Sequence, residues 1–247
     1  MTDLGVSSRF KAFRQFNQPQ LAVWASRRAR MNEELTTSLF PGSGLPAKLA
    51  RSLGSVRAMP LKEFLESFEF FERVRRRLRA PQMADLCCGH GLTGLLFAIF
   101  EPRVERVTLV DRVRPPCYDT ILEAVAQVAP WAPPKVDFWT LPVERAGERL
   151  ASGTSAIAVH ACGVRTDRCL DVALAIRGPV AVMPCCYAQT ARASPAALGK
   201  GLGAEGATDV QRTYRLTEAG YLVDWTAIPR PVTRMNRVIV GLPPGPN

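Results

Sequence analysis

The chain has 247 residues, of which 47% are hydrophobic and 22% charged, enough apolar material for one large domain or one domain with an appendage. No apolar run approaches the length of a membrane span, and the polar, basic stretch from Met1 to Arg14 lacks the apolar centre of a secretory signal. A cytoplasmic protein with no membrane partner is therefore expected.

The formal net charge is +10, and it is uneven: residues 1–80 hold 15 Lys/Arg against 7 Asp/Glu, whereas residues 81–247 hold 17 against 15. The excess on the N-terminal third reads either as a face for RNA or another polyanion, or as an arginine-rich solvated helical surface, since only five of the 32 basic residues are Lys. Seven cysteines is an odd count with two adjacent pairs, Cys87-Cys88 and Cys185-Cys186, which argues for reduced thiols rather than a disulfide framework.

Residues 1–80 read as a helical, basic N-terminal extension. Phe10, Phe13, Phe16, Leu21 and Trp24 are apolar points in basic sequence, and Arg27-Arg28-Ala29-Arg30 is placed on a helix running towards Leu39. Pro41-Gly42-Ser43-Gly44 breaks the chain. Leu61, Phe64, Leu65, Phe68, Phe71, Val74 and Leu78 then recur at three- and four-residue spacing, an amphipathic helix with Pro60 near its first turn. Five arginines between Arg73 and Arg79 suit the negative end of that helix's dipole.

From residue 81 to 247 the period changes. Met83–Cys88, Arg106–Asp111, Lys135–Thr140, Ser155–His160 and Pro179–Met183 read as strands, separated by helices at Leu92–Phe100, Tyr118–Val128, Val143–Ala151 and Asp167–Ile176. Short strands alternating with helices predict an α/β, Rossmann-like parallel sheet. Residues 190–210 read as a loop plus a helix, Gly220–Ile228 and Asn236–Leu242 as a late antiparallel strand pair, and the tail from Pro243 as disordered.

In such a sheet, ligands bind beyond the carboxyl ends of the strands, at the switch point. Both histidines and five of the seven cysteines fall at predicted strand ends. Gly89, Gly91 and Gly94 give a G-x-G-x-x-G turn before a helix, and Asp111, 22 residues past Gly89, suits the hydroxyls of a ribose. A dehydrogenase shares both features. Asp85 four residues before the first glycine, the long helical segment before the first strand and the late antiparallel pair argue against one.

Asp85-Leu-Cys-Cys-Gly-His-Gly resembles motif I of the class I S-adenosylmethionine-dependent methyltransferases. His160-Ala-Cys-Gly-Val-Arg-Thr-Asp167, followed by Pro184-Cys-Cys-Tyr187, is similar to a branch containing tRNA 2′-O-methyltransferases and methyltransferase-like proteins. The resemblance covers roughly residues 82–190 and implies S-adenosylmethionine as cofactor. It implies that Asp85, Cys87, Gly89 and Gly91 hold the methionine part, Asp111 the ribose, and Thr140 and Leu141 the flanks of the adenine. It places His160 against both cofactor and acceptor, with Cys162, Cys185, Cys186 and Tyr187 on the substrate side. The chain departs from the family in lacking an Asn-Pro-Pro-Tyr motif, which disfavours exocyclic amines; RNA is the expected substrate, with a hydroxyl as one open choice of acceptor.

For a hydroxyl acceptor His160 suits a general base, a strap between strand and loop being the alternative. Asp167, or Thr166, is expected to cap the following helix. A metal is not expected: residues that alternate along a strand cannot both face one pocket, so Cys185 and Cys186 are read as split, and no C-x-x-C occurs. The rival readings are a small-molecule or protein methyltransferase, and a non-catalytic binding module that keeps the fold.

Overall fold

The computed structural model describes residues 9–187 and 194–245. The first eight residues of the predicted polar N-terminus, part of the predicted 190–210 loop and the last two residues of the predicted tail lie outside them.

Among the described residues seven strands form one sheet: β1 (Gln82–Leu86), β2 (Arg106–Asp111), β3 (Val136–Thr140), β4 (Ser155–Val159), β5 (Val180–Met183), β6 (Leu222–Ala227) and β7 (Arg237–Leu242). Their order is β3-β2-β1-β4-β5-β7-β6, with β1 to β5 parallel and β7 antiparallel to both β5 and β6. This is the Rossmann-like parallel sheet with a late antiparallel pair that the sequence predicts. Strand order reverses between β1 and β4, so the switch point lies where β1, β2 and β4 end.

Side-chain alternation along the buried strands feeds two cores. Met83, Leu109, Ile157 and Met183 face one of them. Ala84, Leu86, Val110, Ala158 and Val182 face the other. Packed on the first face are α1 (Pro19–Ala25), α2 (Glu33–Leu39), α3 (Leu45–Ser55), α4 (Leu61–Val74), α5 (Leu92–Phe100) and α6 (Cys117–Val128). On the second are α7 (Val164–Ile176), a 3-10 turn at Val143–Glu148, and the end of α8 (Ala196–Glu218), which is broken by extended backbone at Gly203.

The segment before β1 therefore supplies core to the sheet. The apolar stripe of α4 forms as predicted, but the helix is buried on nearly every side: Glu66, Ser67, Glu69, Phe70 and Arg73 are enclosed as well. Its rings pack against others from the N-terminal segment, Phe68 on Phe13 at 4.9 Å and Phe64 on Phe40 at 5.4 Å. Ser67 meets Thr93 of α5 at 3.2 Å, and Ser52 of α3 donates to the Ala124 carbonyl of α6 at 2.8 Å.

Several local expectations are corrected. Arg27 to Ala29 lie in a loop and Arg30 in an isolated bridge to Pro60, because α1 stops at Ala25 and a new helix begins only after Asn32, whose side chain accepts from the Leu35 N–H. The arginines after Phe71 serve carboxylates more than the helix dipole. Arg73 pairs with Glu69, Arg75 with Glu72 and Glu101, Arg77 with Asp224 and Arg79 with Glu101. Neither Asp167 nor Thr166 caps α7, which starts three residues earlier, at Val164, with Gly163 as its N-cap. Thr166 donates back to the Ala161 carbonyl, and Asp167 accepts from Arg212 Nε at 2.9 Å.

Candidate active site

A cavity of about 1270 Å³ opens at the carboxyl ends of β1, β2 and β4. β1 leads into it through the glycine turn. Asp85, 2% exposed, sits inside the strand and accepts from the Gly94 N–H at 2.8 Å, tying the strand to the first turn of α5. Burial, with the Asp111 carboxylate adding to it, pushes the Asp85 carboxyl up to about 7, although the Gly94 hydrogen bond pulls the other way.

The three glycines do different things. A Cβ on Gly89 would meet nothing within 4 Å, and this residue faces the cavity at φ +53°. A Cβ on Gly91 or Gly94 would instead collide with Leu109, at 2.7 and 2.5 Å. Those two are small so that α5 can lie against β2. Asp111 closes the turn from the next strand. Its carboxylate accepts from the Gly89 N–H at 2.8 Å and the Arg112 N–H at 2.7 Å.

Cys87 and His160 are the first residues past β1 and β4, and both adopt positive φ, +56° and +65°. Non-glycine residues held there cost on the order of 1–3 kcal/mol each, a cost typical of sites that aim a side chain. The two residues stand on neighbouring strands at the switch point. The His160 N–H reaches the Met183 carbonyl at 3.3 Å, which fixes the end of β4 to β5.

The opposite wall is α4. Glu63 and Glu66, one turn apart, each meet one of the chain's two histidines. Glu66 is fully buried; its Oε1 accepts from Lys62 at 2.7 Å and its Oε2 lies 2.9 Å from His160 Nε2. That second contact is an ion contact and not an aligned hydrogen bond, so neither atom has a hydrogen-bond partner among the described residues. Glu63 Oε2 is 3.4 Å from His90 Nε2, while His90 Nδ1 accepts from the Leu92 N–H at 3.1 Å, which assigns the proton of the neutral ring to Nε2. The bond to His90 holds the Glu63 carboxyl below its ordinary value against the opposing effect of burial.

On the β4–β5 side stand Cys162, Cys185 and Cys186. The strand of β5 ends at Met183, so the two adjacent cysteines lie in a loop where strand alternation does not apply. All three sulfurs lie within 4.8 Å of one another, and those of Cys162 and Cys185 are 2.7 Å apart. This corrects the expectation that Cys185 and Cys186 point apart. Burial pushes the thiols of Cys162 and Cys185 up, as it does that of Cys88. Cys87 goes the other way, pulled down by a hydrogen bond from Cys169.

Of the residues singled out in the sequence, Cys87, Gly89, Asp111, His160, Cys162, Cys185 and Cys186 line the cavity. Asp85 and Gly91 support it from behind. Thr140 pairs in register with Asp111, and the Leu141 N–H donates to the Asp111 carbonyl at 2.9 Å, but neither residue lines the cavity. Tyr187 also lies outside the lining. Its hydroxyl donates to the buried Asp209 at 2.7 Å, beside Arg237, and its own proton is held more tightly than usual by burial and by that carboxylate. Sequence reasoning missed Arg28, Lys62, Glu63 and Glu66. The signal for the last was a charged residue amid Phe64, Leu65, Phe68 and Phe70, too many rings for a helix with one wet face.

No protein-family model matches the chain, and no curated protein matches it. Solved structures share its fold. A structural-genomics protein of Corynebacterium glutamicum aligns at a TM-score of 0.50 and 15% identity over 87% of this chain and 98% of that one. An rRNA methylase from Streptococcus thermophilus aligns at 0.47 and 10% over 74% and 97%, and a fibrillarin pre-rRNA processing protein of Methanococcus jannaschii at 0.47 and 12% over 68% of each chain.

Proposed function

We propose that this chain is an S-adenosylmethionine-dependent methyltransferase acting on an RNA hydroxyl. The observation that carries the reading is the cavity at the switch point, where Gly89 leaves open space beside the Asp111 carboxylate and a His–Glu pair stands on the neighbouring strand. These residues fit such a cofactor. Gly89 lets the backbone approach it, Asp111 offers two oxygens to ribose hydroxyls, Cys87 walls the turn, and Asp85 holds the turn to α5. Thr140 and Leu141 adjoin Asp111 on the adenine side.

The bound cofactor supplies a methyl group on a positively charged sulfur, so the chain's own work is to position, desolvate and deprotonate the acceptor. His160 Nε2 faces Glu66, which leaves Nδ1 to take the acceptor's proton. The Glu66 carboxylate then balances the imidazolium that results. Arg28 and Arg165 on the cavity lining favour a polyanionic substrate, whereas Lys62 and Arg112 there are already paired with Glu66 and Glu144.

Titration of S-adenosylmethionine and its demethylated product into the full chain by calorimetry tests the cofactor; absence of binding to either overturns the reading. Labelled methyl transfer into a cell extract separated into RNA, protein and small molecules tests the substrate. Label in the RNA fraction is expected, and label confined to either other fraction overturns the choice of RNA.

A further inference from the structure

We propose that Cys162, Cys185 and Cys186 form a three-thiolate site for a thiophilic divalent cation, zinc by preference, with a fourth coordination position open to the cavity. The parallel register Val159↔Met183 brings the segments after β4 and β5 alongside each other, and the Gly163 N–H reaches the Cys186 carbonyl at 3.4 Å. Cys162 thus lies three residues past β4, and Cys185 and Cys186 two and three past β5. Three sulfurs within 4.8 Å of one another lie close enough to share a single ion: with zinc–sulfur bonds of about 2.3 Å, tetrahedral geometry sets sulfurs about 3.8 Å apart, so the Cys162–Cys185 pair opens by about 1 Å when the ion enters.

The 2.7 Å between Cys162 and Cys185 is shorter than two unbonded sulfurs hold, yet longer than the ~2.05 Å of a disulfide. A disulfide engages two sulfurs and leaves the third a spectator; a metal engages all three. Burial disfavours thiolates at Cys162 and Cys185 in the bare cluster, and a cation reverses that balance. On binding, each ligating S–H bond breaks and an S–metal bond forms. One proton per thiol passes to the buffer, and no electron moves.

Among the described residues no fourth His, Cys, Asp or Glu atom joins the group. Three protein ligands and an open position are the pattern of a zinc that handles a reactant, in contrast to the closed four-ligand pattern of a structural zinc. The open position faces the cavity that His160 also lines, and takes water or a donor atom of whatever binds there. The site stands independently of the reaction proposed above, because its test reads metal and not methyl transfer.

The test uses the full-length chain, purified under reducing conditions without chelator, and the metal alone as probe. Elemental analysis is expected to show one zinc per chain. Titration of the stripped protein with Co²⁺ is expected to give the charge-transfer and ligand-field bands of tetrahedral thiolate coordination, with release of protons. Cys162→Ser and Cys185→Ser are expected to weaken binding at least tenfold, whereas Cys117→Ser, on α6, leaves it unchanged. A wild-type chain that holds no stoichiometric metal and leaves Cys162, Cys185 and Cys186 open to alkylation overturns the proposal. So does a mass two hydrogens short with Cys162 and Cys185 cross-linked, and so does undiminished metal in both serine variants, which would place the ion elsewhere.

Discussion

Asp85 shows how one buried carboxyl couples stability to pH. Its ordinary value is 3.8 and its folded value about 7, so between those limits the folded state holds a proton that the unfolded state has lost. Stability from this residue is therefore greatest below pH 4 and falls as pH rises through 7, by up to about 4 kcal/mol at ~1.4 kcal/mol per pH unit. Asp85→Asn keeps an oxygen for the Gly94 N–H and loses the titration. Denaturant midpoints at pH 5 and pH 8 should show the variant gaining on the wild type as pH rises, and parallel curves would contradict the assignment. The glycines of the same turn separate by a second measurement. Gly94→Ala pushes a methyl to 2.5 Å from Leu109 and 3.0 Å from the Asp85 Cβ, a loss of about 1–3 kcal/mol in thermal or chemical unfolding. Gly89→Ala meets open space, so its cost is confined to a positive φ of 53°, about 1–2 kcal/mol, and its larger effect should be on cofactor affinity. A sequence pattern that names three glycines alike cannot make this distinction, because the neighbours that decide it, Leu109 and the open cavity, are distant in the chain.

The helix α4 is the element whose pattern was read most clearly and whose role was read least. Its apolar spacing is plain in the sequence, since period alone reveals it. That its remaining face also meets protein, the cavity wall where Glu63 and Glu66 reach the two histidines, depends on packing against β-strand ends more than twenty residues away. The strand-end clustering of His90, His160 and five cysteines was legible for the opposite reason: a parallel sheet gathers all its strand ends at one edge, so order along the chain suffices. Strand alternation does not apply to the adjacent Cys185 and Cys186, because β5 ends at Met183, as the sequence predicts, and both cysteines lie in the loop beyond it. Two substitutions on α4 separate scaffold from chemistry. Phe64→Ala removes a fully buried ring that packs on Phe13, Phe40 and Phe68, and should cost about 3–5 kcal/mol in unfolding free energy. Glu66→Gln keeps the shape and deletes the charge beside His160. It should lower kcat by roughly ten- to a hundredfold with KM for the cofactor little changed, and a loss confined to KM would remove Glu66 from the proton-handling pair.

At the scale of the whole molecule, the net charge of +10 overstates the free positive surface. Arg73 pairs with Glu69 within α4, Arg75 and Arg79 with Glu101 at the end of α5, and Arg77 with Asp224 on β6, so these charges are spent on holding the N-terminal segment in place. If the proposed RNA substrate is right, RNA binding should be insensitive to Arg79→Ala, while Arg28→Ala and Arg165→Ala each reduce affinity and lower the slope of log affinity against log salt by about one; equal effects from all three would return the run to the binding face. The insertion of β7 between β5 and β6 also has a consequence during synthesis. The ribosome delivers β6 before β7, the strand it pairs with among the described residues, and the buried strand β5 keeps a bare edge until residues 237–242 have emerged. This end of the sheet closes when β7 inserts between β5 and β6, so a nascent chain halted before Arg237 leaves both of those edges unpaired together with an apolar face, the features that invite aggregation and chaperone capture.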